Sequence, residues 1–322
     1  MRRNSSTTTR HPGLTFSISD LSVGQATQSH ECAEGLVLDS YLHNWQNLGG
    51  YGGYYQVKPL DFFSAHPVFT RDEFAGAIAD GRKALSRTVD SHLGLYLRAG
   101  RIGRVKRGVF FTARPGEAVA NSPVDFLLVA SRLAPDAVLG YHTALEAHGY
   151  AQSVYERLFF LTQHKVKAVT FRGRVFVPVA PPQALQRKRL SHTLTVEVER
   201  RGLPCRVTSL ERTAVDVLDR PDLTGGLEEA WRSLSAIPLL DLRAVLDYVR
   251  LRNLATLAAK VGLFLERHKD HFSVPARVLE ELQSLRPRAP HYLDRSARGK
   301  LVAAWNLIVP KVLLEGEWEA VR

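Results

Sequence analysis

Apolar positions fall into helical period once the chain passes residue 57. Residues 58–66 (KPLDFFSAH) predict a short helix, with Pro59 tolerated in its first turn. Residues 70–81 open with Thr70 and Glu73, a T-x-x-E capping box in which each side chain satisfies a free N–H at a helix start. Phe74, Ala77 and Ile78 then share one face, and Gly81 is the stop. A third helix is predicted over 86–100, between Ser86 as N-cap and Gly100. Its apolar stripe is Val89, Leu93, Tyr96 and Leu97, with His92 at the margin. The period then changes from helical to alternating. Ile102 to Val105 reads as a strand, residues 106–108 as a turn and Val109 to Thr112 as the return strand. Three short helices followed by a hairpin is the layout of a winged helix-turn-helix.

Beyond 116 the texture is mixed. Ser122, Pro123 and Asp125 predict the start of an apolar helix over 121–133, and Gly149 closes a short one at 142–149. Strand-like runs follow at 157–162, at 168–179 with a fold at Arg172 and Gly173, and at 192–199 and 204–208. Thr208 and Glu211 suggest a second capping box for a helix over 208–219. Two further stripes predict helices, one through Leu242, Val245, Leu246 and Val249, the other through Leu254, Leu257, Ala258, Val261 and Leu265. Pro310 breaks or kinks any helix in the last apolar stretch, 301–314. The expected fold class is therefore α+β and multidomain. It comprises an N-terminal extension (1–56), a winged helix-turn-helix (57–115), an α/β domain (116–235) and a helical C-terminal region packed on it (236–322).

Composition changes that picture at one end. Residues 1–56 carry SSTTT and GGYGGYYQ where a core would need aliphatics, so disorder is expected there. The sole methionine is Met1, and fold-like sequence begins at Val57. A native start at Val57, with 1–56 a gene-calling artefact, is the expectation that peptide mass spectrometry would test. No apolar run reaches the roughly 20 residues of a membrane helix, and no apolar segment follows the basic residues at the N-terminus. Cys32 and Cys205 make no ligand pattern. Two reduced thiols in a cytoplasmic protein are expected, with no cofactor and no metal.

Charge adds the function class. The chain of 322 residues carries a formal charge of +11, which favours polyanionic partners. Eight basic residues lie between Arg82 and Arg107 against one acid, Asp90, and another basic run occupies 187–189. The N-terminal part of a recognition helix reaches base edges, which nominates Arg87, Thr88 and Ser91; Arg98, further along, is nominated for phosphate. Arg101, Arg104, Lys106 and Arg107 load the hairpin. One side of so short a hairpin must be buried to hold it, leaving a charged side for phosphates or the minor groove. Double-stranded DNA is the expected partner.

Several blocks resemble the AbiEi family of type IV antitoxins. They are VFTRDEF (68–74), RTVDSHLGLYLRAGRIGRVKRGVFF (87–111), YHTALEAHGY (141–150) and VTSLERTAVDVLDRP (207–221), with VGLFLERH (261–268) and WNLIVPKVL (305–313) in weaker support. The resemblance runs from about residue 57 to the C-terminus. It implies a winged helix that represses the operon's own promoter, and a C-terminal domain that counters a nucleotidyltransferase-like toxin encoded nearby.

Two other readings stand beside it. Glu211 and Asp216 could pair as metal-binding carboxylates in a nuclease-like enzyme with a winged-helix targeting domain. Against that, Glu211 is accounted for by the capping box and Asp216 by an i, i+4 pair with Arg212. The histidines at 142 and 148, and at 268 and 271, match no ligand motif. No P-loop, no G-x-G-x-x-G after a strand and no G-x-S-x-G is found, so the expectation is a protein that is not an enzyme. The remaining reading is a toxin-binding interaction protein without DNA specificity.

Overall fold

The structure is a computed structural model; it describes residues 58–79, 86–295 and 297–316. The expectations about the segment 1–56, the start at Val57, Cys32, the stop at Gly81 and the basic pair Arg82 and Lys83 lie outside those residues.

The N-terminal part runs α1 (Pro59–Ala65), β1 (Val68–Thr70), α2 (Arg71–Ile78), α3 (Ser86–Arg98), β2 (Ile102–Lys106) and β3 (Val109–Thr112). The capping box forms as read: Thr70 accepts from the Glu73 N–H at 3.1 Å, and Glu73 accepts from the Thr70 N–H at 2.6 Å. The strands make an antiparallel sheet in the order β1-β3-β2. Its two faces have separate partners. Phe69 and Phe110 join Phe62, Phe63, Phe74 and Tyr96 in a nest of rings on the helical side, with Phe69 and Phe110 5.6 Å apart. Val68, Val109 and Phe111 face the other way, into the core of the next domain. The hairpin is thus buried on both faces, where the alternation suggested one.

That next domain begins with α4 (Phe126–Arg132). Its N-cap is Asp125, whose carboxylate accepts from the N–H groups of Leu127 and Leu128 at 3.0 and 3.1 Å. The helix therefore starts three residues later than Ser122 suggested. Ser122 is buried, and its hydroxyl accepts the Arg114 N–H at 2.7 Å instead. β4 (Val138–Leu139), α5 (His142–His148), β5 (Arg157–Leu161), β6 (Val169–Phe171), β7 (Arg174–Val179), α6 (Gln183–Arg187), β8 (Thr195–Arg200), β9 (Leu203–Thr208) and α7 (Leu210–Asp219) follow. Six strands pair in the order β6-β7-β5-β4-β9-β8, with β5/β7 and β4/β9 parallel and the rest antiparallel. β5 is apolar at four consecutive positions because both its faces are covered. Leu158 and Phe160 pack toward α4, Phe159 and Leu161 toward Tyr141. Ser209, not Thr208, caps α7, accepting from the Arg212 N–H, so no capping box joins Thr208 to Glu211.

The last part is not wholly helical. α8 (Leu227–Ser235), α9 (Leu242–Arg252), α10 (Ala255–Arg267) and α11 (Ala276–Ser284) precede a three-stranded sheet of β10 (His291–Tyr292), β11 (Gly299–Val302) and β12 (Leu307–Pro310), then α12 (Lys311–Leu314). Pro310 ends a strand where it was expected to disturb a helix. One apolar core extends from Leu145 to Leu313, so the expected division near residue 235 separates no cores. Its tightest fit is at Gly262 on α10, where a Cβ would stand 2.1 Å from the Trp305 ring. The whole is a mixed α/β structure with several sheets, consistent with the α+β multidomain class.

Candidate nucleic-acid interface

The basic residues of 86–107 do not form one patch. Register sorts them. Residues directly opposite across a strand pair share a face. Arg104 lies opposite Phe110, so it points to the helical side, its guanidinium 5.7 Å from the Phe110 ring centre. Simple alternation would put Lys106 beside it. A bulge between Arg104 and Lys106 instead sets Lys106 opposite Val109, on the face turned to the α/β domain. Its ammonium donates to the Leu133 carbonyl at 2.8 Å, and burial pushes its pKa below the ordinary lysine value. Lys106 thereby leaves the DNA-facing set. It ties the hairpin to the end of α4.

Arg107 stays exposed at the hairpin tip. Gly108 beside it takes φ 83°, a left-handed conformation that costs a side chain energy. That turn presents the Gly108 carbonyl to the Arg71 N–H at 2.9 Å, fixing the tip against the start of α2.

Arg71 is the residue that the charge pattern missed. It follows the capping threonine directly. Its guanidinium donates to Asp90 at 2.8 Å and to the Ser86 hydroxyl at 2.7 Å, bridging α2 to the first turn of α3. The hydrogen bond from Arg71 holds the Asp90 carboxyl below the usual carboxylate range, and the same bond raises Arg71. Arg71, Arg104 and Arg107, with Asp72 and Asp90, line an open groove of about 820 Å³ between α3 and the hairpin. Two acids in the wall make this a patterned surface rather than a uniform positive one.

Along α3, Arg87 and Ser91 are exposed and one turn apart, Thr88 is half-buried, and Val89, Leu93 and Tyr96 are buried as expected. Leu97 is only half-buried. His92 turns inward, and burial lowers its pKa. Arg98 is exposed but stands eleven residues from Arg87, about 16 Å along the helix. Arg101 lies past the end of α3 and lines a different groove, beside α1.

The carboxylates proposed for a nuclease do not meet. Asp216 is buried. One oxygen accepts from Tyr248 at 2.9 Å and Arg252 at 2.6 Å, the other from Arg212 at 3.3 Å. Burial pushes its pKa up while the two guanidinium groups oppose that shift. Glu211 accepts from the Asp241 N–H at 3.3 Å. No cluster of three or more His, Cys, Asp or Glu suited to a metal occurs among the described residues. The histidines have other engagements. His148 bonds to the Thr208 carbonyl at 2.8 Å, His268 to Ser235 at 2.7 Å and His271 to the Ile237 carbonyl at 2.7 Å. His142 is buried with neither ring nitrogen hydrogen-bonded. Among the described residues, no helix is long and apolar enough to cross a membrane.

No protein-family profile matches the chain, and no curated protein matches it in sequence. A crystal structure of the RV2827C protein from Mycobacterium tuberculosis is similar, with a TM-score of 0.50 and 17% identity over 80% of this chain and 94% of that one. At that identity the likeness is one of fold.

Proposed function

We propose that residues 58–115 form a winged helix-turn-helix that binds double-stranded DNA, and that the chain is a non-enzymatic repressor of its own promoter and an AbiEi-like antitoxin. The observation that carries the DNA reading is the groove between α3 and the hairpin. Arg104 and Arg107 stand on its hairpin wall and Ser86 and Asp90 on its α3 wall, while Arg87 and Ser91 are exposed on the same helix outside the lining. A helix beside a rigid basic turn suits a major-groove helix flanked by backbone contacts, where phosphate contacts position and base contacts specify. Rigidity is built in, because the hairpin is packed on both faces and pinned at its tip by Arg71. The antitoxin part rests on the sequence blocks that resemble AbiEi proteins. It assigns the remaining domains to countering a nucleotidyltransferase-like toxin.

A mobility-shift titration of the full chain on the DNA upstream of its gene tests the first part, with random DNA as competitor. A shift that survives the competitor is expected. A shift that the competitor abolishes would leave the surface non-specific and favour the toxin-binding reading. Co-expression with a neighbouring nucleotidyltransferase-like gene tests the second part. Growth rescue is expected, and unrelieved toxicity would remove it.

A further inference from the structure

Arg101 was grouped with the DNA contacts by its position in sequence, yet it lies beyond the C-terminal end of α3, at the far end of the helix from Arg87. It lines a second groove of about 260 Å³. The floor is apolar: Leu60 and Phe63 of α1, with Pro67. Arg101, Arg114 and Arg201 surround it, and no carboxylate is in the wall, unlike the groove beside α3. The acids nearest to two of these arginines hold them loosely. Arg114 is 3.7 Å from Glu117, both well exposed. Arg201 is 3.7 Å from Asp125, which already caps α4 and accepts from Arg200 at 3.0 Å. An apolar floor flanked by Arg114 and Arg201, whose acid partners are distant or already occupied, attracts an anion with a greasy body.

We propose that this groove is a binding site for a small organic anion, a carboxylate or phosphate monoester carried on a flat apolar body. Size sets the class. At about 30 Å³ for a water's share of liquid, the space equals roughly nine waters, so the ligand has on the order of ten non-hydrogen atoms. That lies just under the usual range for metabolite pockets. The apolar body would lie on Leu60 and Pro67, and the head would accept charge-assisted hydrogen bonds from Arg114 and Arg201. The groove joins α1 to the β8–β9 turn, so such a ligand would bridge the N-terminal part and the α/β domain. The site does not depend on the DNA reading.

Calorimetric titration of the full chain with salicylate, phenyl phosphate and uncharged salicylamide tests it. At least one anion should bind saturably, the better of the two naming the head group, and salicylamide about tenfold or more weakly. The double variant Arg114→Ala/Arg201→Asn should lose about tenfold or more of that affinity. Asn suits position 201, whose φ is 49°. Ser64→Trp should block the groove with every arginine intact, since Ser64 is exposed on its rim. Arg104→Ala/Arg107→Ala should leave anion binding unchanged. No saturation by either anion, equal binding of salicylamide, or full affinity in the Arg114/Arg201 variant would overturn the site. A failed DNA shift with intact salicylate binding would overturn only the DNA reading.

Discussion

Salt dependence offers a sharp test of which cations face DNA. Each phosphate neutralised releases condensed counterions, so log K falls against log salt with a slope of about −0.9 per contact on duplex DNA. The structure leaves Arg104 and Arg107 exposed in the groove beside α3 and Arg87 exposed at the start of that helix, with Arg71 committed to Asp90 and Lys106 to Leu133. Three contacts per chain give a slope of about −2.7, or about a 40-fold loss of affinity between 50 and 200 mM salt. Arg107→Ala should reduce the slope to about −1.8 and the loss to about 12-fold. Lys106→Met removes the same formal charge from the same turn. It should leave the slope unchanged and appear instead in stability, by about 0.5–1.5 kcal/mol for the lost hydrogen bond. Fluorescence anisotropy across a salt series, with urea denaturation in parallel, reads both quantities. If Lys106→Met flattened the slope as much as Arg107→Ala, the bulge would not be sorting these residues and the interface would be misassigned.

Three other outcomes follow from packing and burial. Asp216→Ala should destabilise by about 3–5 kcal/mol, because Arg212 would keep a buried charge without its acid and Arg252 would retain only Asp219; an unchanged urea midpoint would contradict that. Gly103→Ala and Gly262→Ala should each cost about 1–3 kcal/mol, since a Cβ would stand 2.2 Å from the Phe111 ring in the first and 2.1 Å from the Trp305 ring in the second; thermal melts as stable as the parent would show that these contacts relax freely. Burial lowers the His142 pKa below 6.5, with Glu229 opposing, so the unfolded chain takes up this proton first as pH falls. The stabilisation is complete above 6.5 and lost as pH drops through the folded value, so His142→Phe should flatten the stability–pH curve there. Parallel curves for parent and variant would assign that slope to other groups.

The elements were legible in sequence because their signals are local. The Thr70–Glu73 capping box, the α3 stripe and the turn at Arg172 and Gly173 each depend on residues a few positions apart, and each forms where it was read. Misplaced features depended on partners far along the chain. Ser122 has the chemistry of an N-cap, yet Arg114 claims its hydroxyl and Asp125 caps instead. The stretch at 301–314 has helical content, but pairing with His291 and Tyr292 makes it a sheet. The block at 141–150, which carries part of the family resemblance, is occupied with structural tasks. Tyr141 turns the chain at φ 55°, Thr143 accepts the Phe159 N–H at 2.6 Å and Gly149 closes the helix at φ 82°.

For the candidate site the same logic reaches function. Charge density marked the segment from Arg87 to Arg107 as the candidate, but charge carries no direction. Direction comes from register, and one inserted residue turned Lys106 to the opposite face. Arg71 sits outside the dense segment and was invisible to a charge count, although its bond to Asp90 sets how α2 meets α3. That bond also answers why the lone described acid of the basic segment is there. Asp90 stands one turn after Ser86 on α3, where an unpaired carboxylate would repel a phosphate; paired with Arg71, it anchors the helix that presents Arg87 and Ser91. On the proposed DNA reading, replacing Asp90 with Asn should therefore weaken sequence discrimination more than total affinity, because it frees Arg71 for phosphates while loosening the helix assigned to base contacts. Competition between the upstream DNA and random DNA measures the ratio. If discrimination rose in Asp90→Asn, the acid would be a brake on binding and not a brace for α3.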